Sequence, residues 1–568
     1  MHRSLTALTA LLVLCCGGAI AAETRRPSAA AIQTWQARKF GLFIHFGLYS
    51  TLGGVWNGGP VKQGYSEQIM RNAPISREQY AALAAGFVPN NWDPDQIAEL
   101  AKAAGMKFIV ITAKHHDGFN MFHTRLSNFN IVDATPYHRD VVKSLADACR
   151  RHGLSFGVYY SSIDWHDERA TPPSQPPTPE NDNPIPPAHE EFNVAQLKEL
   201  VSNYGPLSEI WFDMGQPTPE QSKRFAATVH AIQPDCMVSG RVFNSQGDFT
   251  VMGDNALPDS VIDEPWQTPA SIYDETWGYR SWQERRDLSG KTNEHILRLV
   301  KVASRGGNYL LNIGPRGDGS VVPFEADVLR GMGRWITANA EAVYDTQPQP
   351  FRELDFGHAT VKPGKLYLFV TKWPADGRLR LPGFHNRITG AHFLADRSKP
   401  LSFSNDARAK SIDISGGSHT PPVTVVAVEF AGALDVAPPS IAPEASGAIV
   451  LPAARATRYF NYNGRGYADP PTVYKLRWDF APAGKKYRVE ITYGKSAAPA
   501  PVEVAIGKEK FRIELPTAAA DAARSVVIGT VQLPAAESMP LIVTPRRPFV
   551  KGDKLAAEVD QVTLTPVR

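Results

Sequence analysis

The sequence predicts an α/β protein: a (β/α)8-like TIM barrel followed by two C-terminal β-sandwiches. Three observations carry this reading. From about residue 30 to residue 345, short apolar runs alternate with amphipathic stretches of helical period, the rhythm of parallel strands joined by crossover helices. Polar and charged residues gather at the C-terminal ends of those apolar runs, which is the active face of a barrel of this type. Beyond Gln347 the helical periods stop and short alternating runs take over, as in antiparallel sheets packed on one face. A doubly wound open sheet is the competing architecture. It carries a glycine-rich phosphate turn after its first strand, and His45-Phe46-Gly47 is not one.

Taken in order, residues 1–22 read as a signal peptide. Arg3 supplies the positive start, Leu5 to Ile20 the apolar region, and Ala19-Ile20-Ala21 a small-residue cleavage pattern. Leu14 before Cys15 argues against a lipoprotein site. No later stretch is apolar enough to span a membrane. The expectation is an exported protein, periplasmic or extracellular, with no membrane span. After cleavage only Cys149 and Cys236 remain, so this is not a disulfide scaffold. The net charge of +3, without a basic block, gives no reason to expect a nucleic-acid partner.

The barrel is assigned to residues 28–346. Lys39–Gly47 is a first strand and Ser76–Gly86 a helix. Asp93-Pro94 opens another helix, because Asp caps well and Pro suits the first helical position; Gly105 ends it. Met106–Gly118 is a second strand, Arg139–His152 a helix, Leu154–Ser162 a third strand and Phe192–Asn203 a helix. Ser208–Gly215 (SEIWFDMG) is a fourth strand, Pro219–Ile232 a helix and Met237–Phe243 a fifth strand. Thr292–Arg305 is a helix, Asn308–Pro315 a strand and Phe324–Val343 a long last helix. Asp167–His189 breaks the rhythm with eight prolines. It reads either as a tolerated insertion or as a wall of the site entrance. Residues 348–433 form the first sandwich, 437–446 a Pro/Ala linker and 448–568 the second sandwich. Tyr459, Tyr462, Tyr467, Tyr474 and Trp478 in the last unit are read either as core or as a carbohydrate-binding surface.

The chemistry lies at the strand ends. His45 ends the first strand, His115, His116 and Asp117 the second; Tyr159, Tyr160, Asp164 and Trp165 follow the third. Asp213 ends the fourth, and Arg241 lies in the fifth. A carboxylate at the end of a buried strand is costly unless it is solvated, paired or in use. No metal is expected: adjacent histidines on a strand face opposite ways, and there is neither an H-E-x-x-H motif nor a cysteine pair. No cofactor is expected either, because the glycines at 306–307 and 314–319 lack a following Gly-Lys-Ser/Thr.

Six stretches in this order, FGLFIHFGLYS, AKHHDGF, YYSSIDW, WFDMG, SIYDETWGY and NYLLNIGPRGDG, resemble the α-L-fucosidases of glycoside hydrolase family 29. The resemblance covers roughly residues 30–345. It implies a retaining enzyme that removes terminal α-L-fucose from a fucosylated oligosaccharide or glycoconjugate through a covalent intermediate. Residue by residue it implies Asp213 as nucleophile, His45, Glu67, His115, His116 and Tyr160 as contacts to fucose hydroxyls, Trp211 as a pocket wall and Arg241 beside the nucleophile. The sugar's methyl group wants an apolar wall, for which Trp266 is the candidate. For the acid/base, Asp254 in GDFTVMGDN leads and Glu264 is second. Gln267 stands where many members carry a Glu after Trp, and an amide cannot serve as an acid. Retention calls for carboxyl groups about 5–5.5 Å apart, with Trp266 and Trp277 as the apolar surround of the acid. Two other functions fit the same residues: a related α-glycosidase acting on a sugar such as α-L-galactose, and a fucose-binding protein that has lost catalysis. The first sandwich is expected to brace the barrel.

Overall fold

The structure, a computed structural model, describes residues 26–171, 184–258, 261–262, 264–406, 410–437, 440–461, 472–494, 499–517, 524–545 and 559–567. The expected signal peptide and the centre of the proline-rich segment lie outside the described residues. Eight parallel strands form one sheet: β1 (Phe40–Ile44), β2 (Phe108–Lys114), β3 (Ser155–Ser161), β4 (Glu209–Asp213), β5 (Met237–Val238), β6 (Thr250–Val251), β7 (Trp266–Ser271) and β8 (Asn308–Ile313). Their order runs β5-β4-β3-β2-β1-β8-β7-β6. A parallel bridge between Ser239 and Phe249 joins the two ends, so the sheet closes in sequence order as a (β/α)8 barrel.

Among the described residues, six helices of ten residues or more cover the barrel domain: α1 (Pro94–Ala103), α2 (Val141–His152), α3 (Pro187–Asn203), α4 (Pro219–Ile232), α5 (Leu288–Ser304) and α6 (Pro323–Val343). Their starts follow the local chemistry. Asp93 accepts from Gln96 N at 3.0 Å, and Thr218 and Gln221 cap each other reciprocally. Two apolar cores result. The inner one fills the barrel with Phe43, Phe108, Val110, Tyr159, Trp211, Phe249, Trp277 and Leu310. The outer one lies between strands and helices and includes Leu42, Ile111, Tyr160, Phe212 and Trp266. Strand alternation decides which core each residue joins.

Two expectations need correction here. Met237–Phe243 is not one strand. β5 ends at Val238, and Arg241 sits in the 3-10 turn Gly240–Val242. Phe243, Asn244 and Ser245 then have φ of 66°, 52° and 57°, which no strand accommodates. The seventh barrel strand, Trp266–Ser271, shows no strand pattern in the sequence, because Pro269, Gln267, Thr268 and Ser271 hide its apolar positions.

The first sandwich pairs a five-stranded and a three-stranded sheet. In its strand Lys365–Val370, Leu366, Leu368 and Val370 face the sandwich core. Tyr367 and Phe369 instead join the outer barrel core. Trp335 of α6 donates to Val423 O at 3.1 Å across this junction. Among the described residues, the second sandwich pairs four- and five-stranded sheets, with Trp478, Tyr487 and Tyr493 in its core. Trp478 is therefore a packing residue and not a sugar platform. Tyr462 and Tyr467 lie outside the described residues. Among the described residues no helix is long and apolar enough to cross a membrane. Cys149 and Cys236 are buried free thiols.

Burial sets a pH dependence of stability. Desolvation lifts Glu67, Asp117 and Glu209 to about 7 and Glu325 to about 8. These groups hold more protons folded than unfolded, so the stability they contribute is present at low pH and is lost as pH rises through 7–8. Desolvation lowers His45 and His295 to about 3 and His189 to about 4. Those rings refuse protons that the unfolded chain takes up below about 6.5, so their contribution is lost as pH falls. The melting temperature is expected to drop on the order of 5 °C between pH 6.5 and pH 8.5. Thermal scans across this range check it; a flat or rising profile from pH 6.5 to 8.5 contradicts it.

Candidate active site

Asp213 ends β4 at the C-terminal mouth of the barrel, where Met214 and Gly215 turn the chain away with φ of 63° and 88°. Its carboxylate is buried and held from two sides. Tyr159 donates its hydroxyl to Oδ2 at 2.7 Å, and Arg241 donates Nη1–H to Oδ1 at 3.0 Å. Burial pushes the Asp213 pKa upward, and the Arg241 charge, the Tyr159 hydrogen bond and the Met214 amide oppose the shift.

Arg241 lies over the Trp211 ring at 4.6 Å. Its Nη2 donates to Asp254 Oδ1 at 2.7 Å and to Met252 O at 3.2 Å. One guanidinium therefore spans Asp213 and Asp254. Sharing one guanidinium keeps both carboxylates in the same site. An ion pair with a guanidinium favours the charged form of a carboxyl group, whereas a leaving-group acid must hold a proton. This departs from the apolar surround expected for the acid.

Around Asp213 lies a cavity at the mouth of the barrel, partly open to solvent. Its walls include Phe43, Tyr65, Trp211, Met214 and Trp277 as apolar surface, and His45, Glu67, His115, His116, Tyr159, Arg241 and Asp254 as polar groups. Glu67 reaches across from the Ser66–Gln68 turn and accepts from the Trp277 and Gly278 amides at 3.2 and 2.7 Å. His115 and His116 both face the cavity because β2 ends at Lys114 and the chain bends there; their ring centroids are 3.9 Å apart. Desolvation lowers the pKa of all three cavity histidines, so they stand as neutral imidazoles. Among the described residues no cluster of His, Cys, Asp or Glu has the arrangement of a metal site.

Of the residues singled out from sequence, the structure gathers His45, Glu67, His115, His116, Trp211, Asp213, Arg241 and Asp254 in one cavity. Three stand elsewhere. Tyr160 is paired in register with Phe212 and faces α3, its hydroxyl 2.7 Å from Asn193 Oδ1 and 2.8 Å from Gln196 Oε1. Its neighbour Tyr159, paired with Trp211, takes the inward face. Counting by twos from Asp213 and Trp211 along paired strands separates the two tyrosines once the register is known. Trp266 is buried in the outer core and donates to Arg305 O at 3.1 Å; Trp277 forms the wall instead. Glu264 is exposed and does not line the cavity. Gln267 is not a loop position at all. It lies inside β7, accepts from Trp211 Nε1 at 2.9 Å and donates to Glu209 at 3.1 Å. Its amide thus braces the Trp211 wall from below, and a Gln there says nothing about a missing acid. Tyr65 and Phe43 carried no signal in the sequence beyond their aromatic character.

A family model described as alpha-L-fucosidase matches residues 19–341. The tissue alpha-L-fucosidase of Rattus norvegicus is 33% identical over 369 residues, 60% of this chain and 77% of that relative. The tissue alpha-L-fucosidase of Mus musculus is 31% identical over 418 residues, 70% of this chain and 89% of that relative. A crystal structure of alpha-L-fucosidase from Vibrio sp. strain EJY3 superposes with a TM-score of 0.68 at 27% identity. That match covers 95% of this chain and 99% of the other, so it runs through the barrel and on into the sandwiches.

Proposed function

This chain belongs to the α-L-fucosidase family of glycoside hydrolases, and from that premise we propose that it is an exported, exo-acting retaining enzyme that releases terminal α-L-fucose from glycans. The observation that carries the reading is the buried Asp213 carboxylate, held by Tyr159 and Arg241 at a barrel strand end and opening on a cavity lined by histidines, carboxylates and aromatic rings.

Asp213 Oδ attacks the anomeric carbon, and the bond to the leaving oxygen breaks as a glycosyl ester forms. A second carboxyl group gives its proton to the leaving oxygen, then takes one from the water that opens the ester. Asp254 is the cavity carboxyl assigned this work, and it has to part from Arg241 to carry a proton. Arg241 keeps Asp213 ionised, and the Tyr159 hydroxyl fixes the orientation of the attacking oxygen. His45, His115, His116 and Glu67 meet the sugar's hydroxyls, while Trp211, Trp277 and Phe43 supply apolar wall for its methyl group. Export rests on the N-terminal residues 1–22.

Side-by-side hydrolysis of an aryl α-L-fucoside and an aryl α-L-galactoside tests the substrate, with the anomer first released followed by proton NMR. The fucoside is expected to be hydrolysed with α-fucose as first product. Preferential turnover of the galactoside transfers the reading to that sugar, β-fucose as first product removes the retaining mechanism, and binding without turnover makes the chain a lectin-like binder.

The two tyrosines provide a sharper check. Tyr159→Phe removes the hydroxyl on Asp213 and is expected to lower kcat about 10–100-fold. Tyr160→Phe alters only the outer face and should leave kcat within about twofold while lowering the melting temperature. Equal effects on kcat would reject this division between the two faces.

A further inference from the structure

Hydrogen bonds outside the cavity decide which nitrogen of two cavity histidines carries the proton. Asn312 on β8 donates Nδ2–H to Trp277 O at 2.7 Å. That leaves its Oδ1 facing His45 Nδ1, also at 2.7 Å. An amide oxygen has only lone pairs, so the proton of this bond sits on His45 Nδ1. Ser161, at the end of β3, donates its one hydroxyl proton to Ile163 O at 3.0 Å. Its oxygen therefore accepts from His116 Nδ1 at 2.7 Å. Both rings are buried and neutral. A neutral imidazole with its proton on Nδ1 has a bare lone pair on Nε2. Tyr159 lies 3.5 Å from the His116 Nε2, but that hydroxyl proton goes to Asp213 Oδ2, which itself stands 3.9 Å from Nε2.

We propose that Asn312 and Ser161 are positioning residues that lock His45 and His116 as hydrogen-bond acceptors, so that the cavity recognises L-fucose through the protons of unsubstituted ring hydroxyls and rejects fucose carrying methyl, acyl or sulfo groups on those oxygens. The inference rests on the fucosidase reading and adds the chemical class of fucose that is accepted. A substituted oxygen has no proton to give, so lone pair meets lone pair and both atoms are buried unpaired. Sites built around a substrate hydroxyl discriminate steeply against analogues that lack its hydrogen bond. A sulfo group would also bring negative charge toward Asp213, Asp254 and Glu67.

Two measurements test this on the full chain. The first is long-range proton–nitrogen NMR of the enzyme labelled with ¹⁵N-histidine at pH 7, which needs no activity. His45 and His116 are expected as neutral rings protonated on Nδ1, assigned by His45→Gln and His116→Gln. Ser161→Ala and Asn312→Ala should each release the tautomer of one ring. A ring in the wild type that is protonated on Nε2, or on both nitrogens, overturns the lock. The second is competitive inhibition by L-fucose and its three monodeoxyfluoro analogues at positions 2, 3 and 4. Fluorine keeps lone pairs and loses the proton. At least two analogues should bind about tenfold or more weakly than fucose. Ser161→Ala should erase the penalty for one of them, which a merely structural loss would not do. Fewer than two weakened analogues overturns the selection rule. If fucose itself does not bind, the substrate reading falls, and the NMR result still decides the lock.

Discussion

Asp213→Ala is expected to lower kcat on an aryl α-L-fucoside by about 10⁴-fold or more, with azide restoring part of the activity and producing β-fucosyl azide. The magnitude follows from removing the atom that forms the bond. The remaining cavity still binds the sugar, so KM should change far less than kcat. Azide fits the space left by the carboxylate and attacks from the same side, which inverts the centre once. The variant leaves Arg241 with Asp254 and Met252 O as partners, and Tyr159 loses its acceptor, so a check that the variant is folded accompanies the kinetics. A folded Asp213→Ala variant that keeps more than about a tenth of wild-type kcat would remove Asp213 from the reaction.

The second large effect is expected at Asp254. Asp254→Ala should slow turnover of the same fucoside by about 10²–10⁴-fold. The loss falls mainly on breakdown of the glycosyl ester, because an aryl leaving group needs little help from an acid. Azide needs no base, so it should restore turnover and give α-fucosyl azide with net retention. The opposite azide products separate the two carboxylates more firmly than the rates do. The Arg241–Asp254 contact at 2.7 Å makes this outcome informative. If Asp254→Ala turns over like wild type without azide, Asp254 only holds Arg241 in place. Glu67 is then the carboxyl group that remains in the cavity wall. Burial has already raised it to about 7, within the range that suits a proton-transfer group at neutral pH. Glu264, exposed and away from the cavity, would need a loop movement to compete.

The division between what was legible in the sequence and what was not follows one physical line. Helix ends were legible where capping acts over three or four residues: Asp93-Pro94 and the Gly105 stop read directly. Strongly apolar strands such as Phe108–Lys114 were legible because both their faces are buried. Weak strands were not: β6 has two residues, and β7 carries Gln267, Thr268 and Pro269. Their place in the sheet comes from neighbours that pair with them, such as β8, far away in sequence.

The same line runs through the site. Asp213, His45, His115, His116, Glu67 and Arg241 were readable because each sits at or just beyond a strand end, or in a motif that keeps its order along the chain. Tyr159 against Tyr160, and Trp277 against Trp266, were not readable, since both members of each pair are aromatic and the choice rests on which barrel face each one takes. By itself the sequence determined the barrel class, most of its strands and helices and a strand-end carboxylate at Asp213, because these rest on period, local capping and strand-end chemistry; the family came from the resemblance of six ordered motifs. Only the tertiary structure decided which aromatic faces inward, that Gln267 braces Trp211, that Arg241 joins two carboxylates, and where the protons of His45 and His116 sit. Those are set by register and by contacts such as Asn312–His45, 267 residues apart in the chain, and no local pattern encodes a partner at that distance.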